Sequence, residues 1–150
     1  MAPPVVAAWT DGTSYAVPTS SQGAVSVTVQ ALDWCNNAGT ASATVNIDTT
    51  KPGTKTRGNA TVKRGNTAKL KYRVSEPSGL SPTADVVIKV NDGKGDAVKT
   101  VTVGGATVNA NLAASFTCNL KKGTYKWYVY ATDLAGNTQA NIANANLTVK

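Results

Sequence analysis

Two stretches of this chain, one hundred positions apart, carry the same alternation of apolar and polar side chains. Val25, Val27, Val29 and Ala31 alternate with Ser26, Thr28 and Gln30, and the run closes on Asp33 and a turn containing Gly39. Tyr125, Trp127, Val129 and Ala131 alternate with Lys126, Tyr128 and Tyr130, and that run closes on Asp133 and a turn with Gly136 and Asn137. A period of two places every second side chain on one face of a β-strand. Self-similarity of this kind marks a tandem array of one structural unit, an organisation typical of spacers and binding modules.

The second half gives the fuller pattern. Residues 60–63 form a first short strand. Over 67–75, Ala68, Leu70, Tyr72 and Val74 face inward, and Val86, Ile88 and Val90 form a second inward row. Residues 76–82 hold two prolines and a glycine and read as a loop. Asn91, Asp92, Gly93 and Gly95 signal a hairpin. The chain returns over 98–103, turns at Gly104 and Gly105, and continues through 108–118, 124–133 and 143–150. Seven short strands over about 95 residues, punctuated by turns, are the pattern of an immunoglobulin-like β-sandwich. No segment keeps apolar residues at i, i+3, i+4 and i+7, so helices are not expected. The first half offers only residues 5–9, 15–17, 25–33 and 41–48. Four strands are too few for such a sandwich. The expected fold is therefore all-β: an immunoglobulin-like sandwich preceded by a partial or smaller β repeat.

Charge divides the chain at the same place. Of its 150 residues, 15 are Lys or Arg, 8 are Asp or Glu and none is His, for a net charge of +7. Residues 1–50 have no cation and carry Asp11, Asp33 and Asp48. Residues 51–150 hold all 15 cations against Glu76, Asp85, Asp92, Asp96 and Asp133. The break falls at residues 48–53, where Pro52 and Gly53 interrupt the pattern. This predicts two units, 1–50 and 51–150, joined by a linker. A basic unit raises the question of nucleic acid. Lys69, Lys71 and Arg73, however, interleave with Leu70, Tyr72 and Val74, as on the solvated face of a sheet. No stacking aromatics flank a cationic stripe, so no nucleic-acid partner is expected. No apolar run approaches the roughly 18 residues of a membrane span, so no membrane insertion is expected. Met1 followed by Ala2, Pro3 and Pro4 reads as a start placed on an internal fragment of a longer protein.

Little in the sequence suits catalysis. Without His, neither a Ser-His-Asp nor a Cys-His pair can be assembled. Two cysteines cannot close a structural zinc tetrahedron. Asp92 and Asp96 flank a glycine-rich hairpin and read as turn residues. Gly93 and Gly95 lead into no helix, so they form no phosphate cradle. The enzyme class is thus not expected. Tyr128 and Tyr130 face outward on their strand and are candidates for carbohydrate contact. Tyr125 and Trp127 share the inward face and read as core.

The turns carry a resemblance. Asp33 to Gly39, and Asp133, Ala135, Gly136 and Asn137, resemble the Asp-x-Ala-Gly-Asn signature of bacterial immunoglobulin-like repeats. Asp48, Thr49, Thr50 and Pro52 resemble the Asp-Thr-Thr-x-Pro junction between such repeats, and Gly123, Thr124 and Tyr125 resemble the opening of their penultimate strand. The resemblance spans 54–150 as a whole domain and roughly 9–50 as the end of one. It implies an extracellular, secreted or wall-attached bacterial protein with neighbouring repeats as partners. Some related adhesin repeats hold calcium in these turns and linkers. The matching positions are Asp33, Asn37 and Asp48 in the first unit, and Asp133 and Asn137 in the second. Calcium needs six to eight oxygens, whereas each turn supplies one Asp. The competing reading is that Asp and Asn hydrogen-bond the turn backbone. Some Gram-positive sandwich domains also form a Lys–Asn isopeptide bond. Its residues here would be Lys69 or Lys71, Asn144 or Asn146, and Glu76 or Asp85, but alternation puts the Lys and Asn outside.

The expected role is a non-catalytic structural or adhesive module, a stalk or spacer. The alternatives are a carbohydrate- or matrix-binding module, with host or cell-wall glycan or protein as partner, and an accessory domain of a cell-wall enzyme. Cys35 and Cys118 fall in different units. In an end-to-end stack they lie too far apart for a disulfide, which needs Cα atoms within about 7 Å.

Overall fold

The structure is a computed structural model and describes residues 5–6 and 22–150. It is all-β, with no helix among the described residues. The chain divides into two compact units, Met1–Thr49 and Thr50–Lys150. Most of the strand expected over 5–9, and all of that over 15–17, lie outside the described residues.

In the first unit, β2 (Gly23–Leu32) and β3 (Ala38–Ile47) form an antiparallel hairpin paired from Gly23 opposite Ile47 to Leu32 opposite Ala38. Strand β1 (Val5–Val6) pairs parallel to β2. The hairpin turn is shorter than expected: β3 begins at Ala38, and Gly39 pairs with Ala31 instead of lying in the turn. Alternation fixed these strands, yet only Val27 and Ile47 of the hairpin are buried, and Val29, Leu32 and Val45 stay exposed.

The second unit has eight strands, not seven: β4 (Gly53–Thr56), β5 (Ala60–Val62), β6 (Thr67–Ser75), β7 (Thr83–Asn91), β8 (Ala97–Thr107), β9 (Asn111–Thr117), β10 (Gly123–Asp133) and β11 (Ala143–Val149). One sheet runs β4-β6-β9 and the other β5-β11-β10-β7-β8. This is immunoglobulin-like connectivity. The additional strand arises because the first strand is divided between the sheets. Residues 53–56 pair with β6, then Gly58 at φ +99° lets the chain cross, and residues 60–62 pair with β11. A side chain at 58 would have to enter the left-handed region that glycine tolerates. Gly53, expected in the linker, is the first residue of β4. A Cβ there would sit 2.7 Å from Ser75 Oγ, which lies directly opposite.

Gly104 and Gly105 were expected to turn the chain. Instead β8 runs through them as a bulge: pairing steps from Ala84–Ala106 to Val86–Val103, so two residues face Asp85 alone. Gly105, at φ +60°, donates its N–H to Asp85 Oδ1 at 3.0 Å. Bulges of this kind accommodate one extra residue without ending a strand.

The inward rows meet in one core containing Leu70, Tyr72, Val74, Val86, Ile88, Val90, Phe116, Trp127, Val129, Leu147 and Val149. Trp127 is wholly buried and donates its Nε1–H to Asn146 O at 3.3 Å. Near the start of β10, Tyr125 donates its hydroxyl to Lys121 O, four residues upstream, at 2.9 Å. This is the tyrosine corner of immunoglobulin-like sandwiches, so Tyr125 has a folding role. Both cysteines are free, Cys35 exposed and Cys118 buried.

Candidate functional site

The repeat recognised in sequence recurs atom by atom in its turns. In the first, Cys35 N–H and Asn37 N–H donate to Asp33 Oδ1 at 2.8 and 2.9 Å, and Asn37 Nδ2 donates to Asp33 Oδ2 at 2.8 Å. In the second, Ala135 N–H and Asn137 N–H donate to Asp133 Oδ1 at 2.9 and 2.8 Å, and Asn137 Nδ2 donates to Asp133 Oδ2 at 2.9 Å. Backbone bonds also match, with Asp33 N–H on Asn37 O and Asp133 N–H on Asn137 O, both 3.1 Å. Asn36 and Gly136 hold the same left-handed position, at φ +63° and +85°. The Asp and Asn side chains therefore close their own turns. These bonds to the ionised carboxylate, led by that from the Asn37 side chain, hold Asp33 below the ordinary aspartate range.

The five calcium candidates do not form one group in each unit. Asp33 and Asn37 share the β2–β3 turn, while Asp48 follows the opposite end of β3. Ten residues of strand, about 30 Å, separate them. Asp48 Oδ1 accepts from Gln22 Nε2 at 3.1 Å. In the second unit, Asp133 and Asn137 share a turn, and the structure adds a residue that the calcium reading missed. Glu76 is 2% exposed and Asp133 6% exposed, and their carboxylate oxygens approach within 4.8 Å. Glu76 Oε1 accepts from Ser78 N–H at 3.0 Å and from Ser78 Oγ at 2.9 Å, whereas Oε2 is buried with no hydrogen-bond partner among the described residues. Asn109 clamps the Glu76 backbone: its Oδ1 accepts from Glu76 N–H, and its Nδ2 donates to Glu76 O. The signal was present in the alternation. Glu76 continues the inward row of Leu70, Tyr72 and Val74, as Asp133 continues that of Trp127, Val129 and Ala131. Both rows end at the end of the sandwich where β4 begins, since Gly53 lies opposite Ser75.

Tyr128 and Tyr130 face outward and are half-buried, as alternation required. Each ring has a lysine ammonium near its face. Lys126 Nζ lies 5.9 Å from the Tyr128 centroid, and Lys89 Nζ lies 5.2 Å from that of Tyr130. Ammonium groups at this distance are held by the ring quadrupole, so a sugar would have to displace them. The isopeptide arrangement is not assembled. Lys69 and Lys71 are exposed on the β4-β6-β9 sheet, and Asn144 and Asn146 are exposed on the other. Asp92 Oδ1 accepts from Lys94 and Asp96 N–H at 2.9 and 3.0 Å, which spends it on its hairpin. No helix among the described residues is long and apolar enough to cross a membrane.

No protein-family model matches the chain, and no curated protein matches it. Solved structures do. The CARDB domain of the PF1109 protein of Pyrococcus furiosus, crystallised with di-metal ions, is 20% identical over 67% of this chain and 88% of its own, with a TM-score of 0.45. Murine CRIg is 16% identical over 67% of this chain and 99% of its own, with a TM-score of 0.41. A cohesin module from a family 33 glycoside hydrolase of Clostridium perfringens is 10% identical over 68% of this chain and 98% of its own, with a TM-score of 0.40. Likenesses this distant assign no ligand and no activity to this chain.

Proposed function

We propose that this chain is a non-catalytic structural module, a spacer repeat of a secreted or wall-attached bacterial protein akin to bacterial immunoglobulin-like repeats. The observation that carries this reading is the parallel pairing of β5 with β11 in the second unit. Strand β5, at its N-terminal side, runs parallel to β11, at its C-terminal end, with Ala60 opposite Leu147 and Val62 opposite Val149. Tension applied through the two ends pulls these strands along their length in opposite directions. Their hydrogen bonds are then loaded together in shear instead of opening one at a time. The duplicated Asp-Asn turn supports the same reading, because spacers are built by repetition.

Single-molecule pulling tests it. The unit is stretched either through its two ends or through attachment points in the β7–β8 hairpin and the C-terminus. A clearly higher peak force is expected in the first geometry. Equal forces would remove the mechanical reading.

A second reading is favoured by the unpartnered Glu76 Oε2. Two buried carboxylates side by side call for a compensating charge. Glu76 and Asp133 would hold a divalent cation such as calcium, which would neutralise the pair and tie β6 to β10. Calcium is then expected to raise the unfolding temperature of the chain relative to EDTA, and Glu76→Gln to abolish that difference. An equal response in both proteins would exclude this site.

A further inference from the structure

We propose that the outer face of the β4-β6-β9 sheet binds a linear polyanionic polysaccharide. Cross-strand register gathers cations that lie far apart in sequence. Lys55 on β4 lies directly opposite Arg73 on β6. Arg57 continues that strand, and its N–H bonds Lys71 O at 2.8 Å, which places it beside Lys71. Lys69 extends the row along β6. Directly opposite side chains sit about 5 Å apart, and alternate positions on one strand about 7 Å apart. Five cations thus form a compact grid.

Nothing in the sheet offsets them. Strands β4, β6 and β9 contain no Asp or Glu. The acids of this unit lie elsewhere: Glu76 and Asp133 inside, Asp85 at the β8 bulge, and Asp92 and Asp96 in the β7–β8 hairpin. Like charges directly across a sheet destabilise it, and a surface serving solubility alone does better with interspersed signs. Two opposed pairs, Lys55–Arg73 and Arg57–Lys71, therefore need a counterpart, and a polyanion supplies one while releasing its own counterions.

The shape of the face selects among polyanions. Opposite the cations, β9 presents Asn111, Ala113 and Ser115, which are small or neutral. Arg57, Lys71, Asn111, Leu112 and Ala113 line a shallow depression of about 350 Å³. It combines charge, an amide and a short apolar floor, which suits a charged sugar ring. Single-stranded nucleic acid binds through aromatic platforms that stack its bases. The aromatics of these strands, Tyr72 and Phe116, are both buried in the core. The inference is independent of the mechanical reading, because pulling forces and ligand affinity are measured separately.

The test measures binding of the full 150-residue chain to dextran sulfate, neutral dextran and single-stranded poly(dT) over a range of salt. Binding to dextran sulfate is expected, with none to neutral dextran. With five contacts and the slope of a flexible charged chain, affinity should fall about a hundredfold between roughly 50 and 200 mM salt. Lys71→Gln with Arg73→Gln should reduce that fall to about twentyfold, by the same slope. Lys94→Gln with Lys122→Gln removes equal charge elsewhere and should leave the salt dependence unchanged. Thermal unfolding of each variant confirms folding, and the face variant is expected to be no less stable than the parent. Equal losses in both double variants would show a response to net charge and overturn the proposal. Absence of binding, or binding to poly(dT) at least as tight as to dextran sulfate, would overturn it as well.

Discussion

Truncating Trp127 to alanine probes whether the two sheets are held by the core described above. The indole is fully buried among Leu70, Ile88, Val90 and Val129, and its Nε1–H bonds the Asn146 carbonyl. Removing a buried indole leaves a cavity that neighbours only partly fill, at a cost of about 3–5 kcal/mol. The unit runs from Thr50 to Lys150, close to the size for which each kcal/mol lowers the unfolding temperature by about 5 °C. The expected shift is therefore about 15–25 °C. In urea, with a slope near the middle of the usual range, the midpoint should fall by about 2 M without a change in slope. Circular dichroism of the full chain, followed through heat and urea, reads both. Trp127→Phe keeps most of the ring volume and should lose about half as much. A shift below about 5 °C for the alanine variant, about 1 kcal/mol and far short of the loss of a buried indole, would mean that β10 presents its other face to the core.

Asp133→Ala removes the three hydrogen bonds accepted by a buried carboxylate and should lower the stability of the second unit by about 2–4 kcal/mol, read in the same urea titration. The matching Asp33→Ala, at an exposed turn, should leave that transition in place. The first turn should also respond to acid. The Asp33 carboxyl titrates below its ordinary 3.8, so its contribution is complete above that value and is lost as pH falls through the depressed one. Amide NMR shifts of Cys35 and Asn37 should hold steady from neutral pH to about 5 and move only below about 4, and movement above pH 5 would contradict the bonding described. Thiol titration should find Cys35 reactive in the native chain and Cys118 only after unfolding, and rapid reaction of both would show that β9 is not packed as described.

Period-two alternation carried most of the fold because a sandwich buries one face of each strand. The rows ending at Val74 and Ala131 were legible, and extending each by one step would have placed Glu76 and Asp133 on the inward face, although their approach to each other depends on how the two sheets pack. Strand β4 was not legible, since residues 53–56 contain no apolar row and lie between Pro52 and Gly58. The glycines of β8 misled because a bulge and a turn draw on the same residue type. The cationic face was hidden for a different reason. Lys69, Lys71 and Arg73 are visible as alternating positions, but their opposition to Lys55 and Arg57 depends on strand register, which no local pattern states. In the first unit, alternation gave the strands and not their burial: Val29 and Val45 follow the apolar period and remain exposed.

The partnership of β5 with β11 also sets an order of events during synthesis. Ala60 can pair with Leu147 only after 87 further residues have been made. Contacts of such long sequence separation slow folding. Until β11 leaves the ribosome, β10 has an unpaired edge and the core lacks Leu147 and Val149. The β2–β3 hairpin needs no such wait, because a five-residue turn joins its strands. A nascent array of such units would therefore have one open sheet at a time, the one still being translated, and its aggregation-prone edge would be confined to that unit.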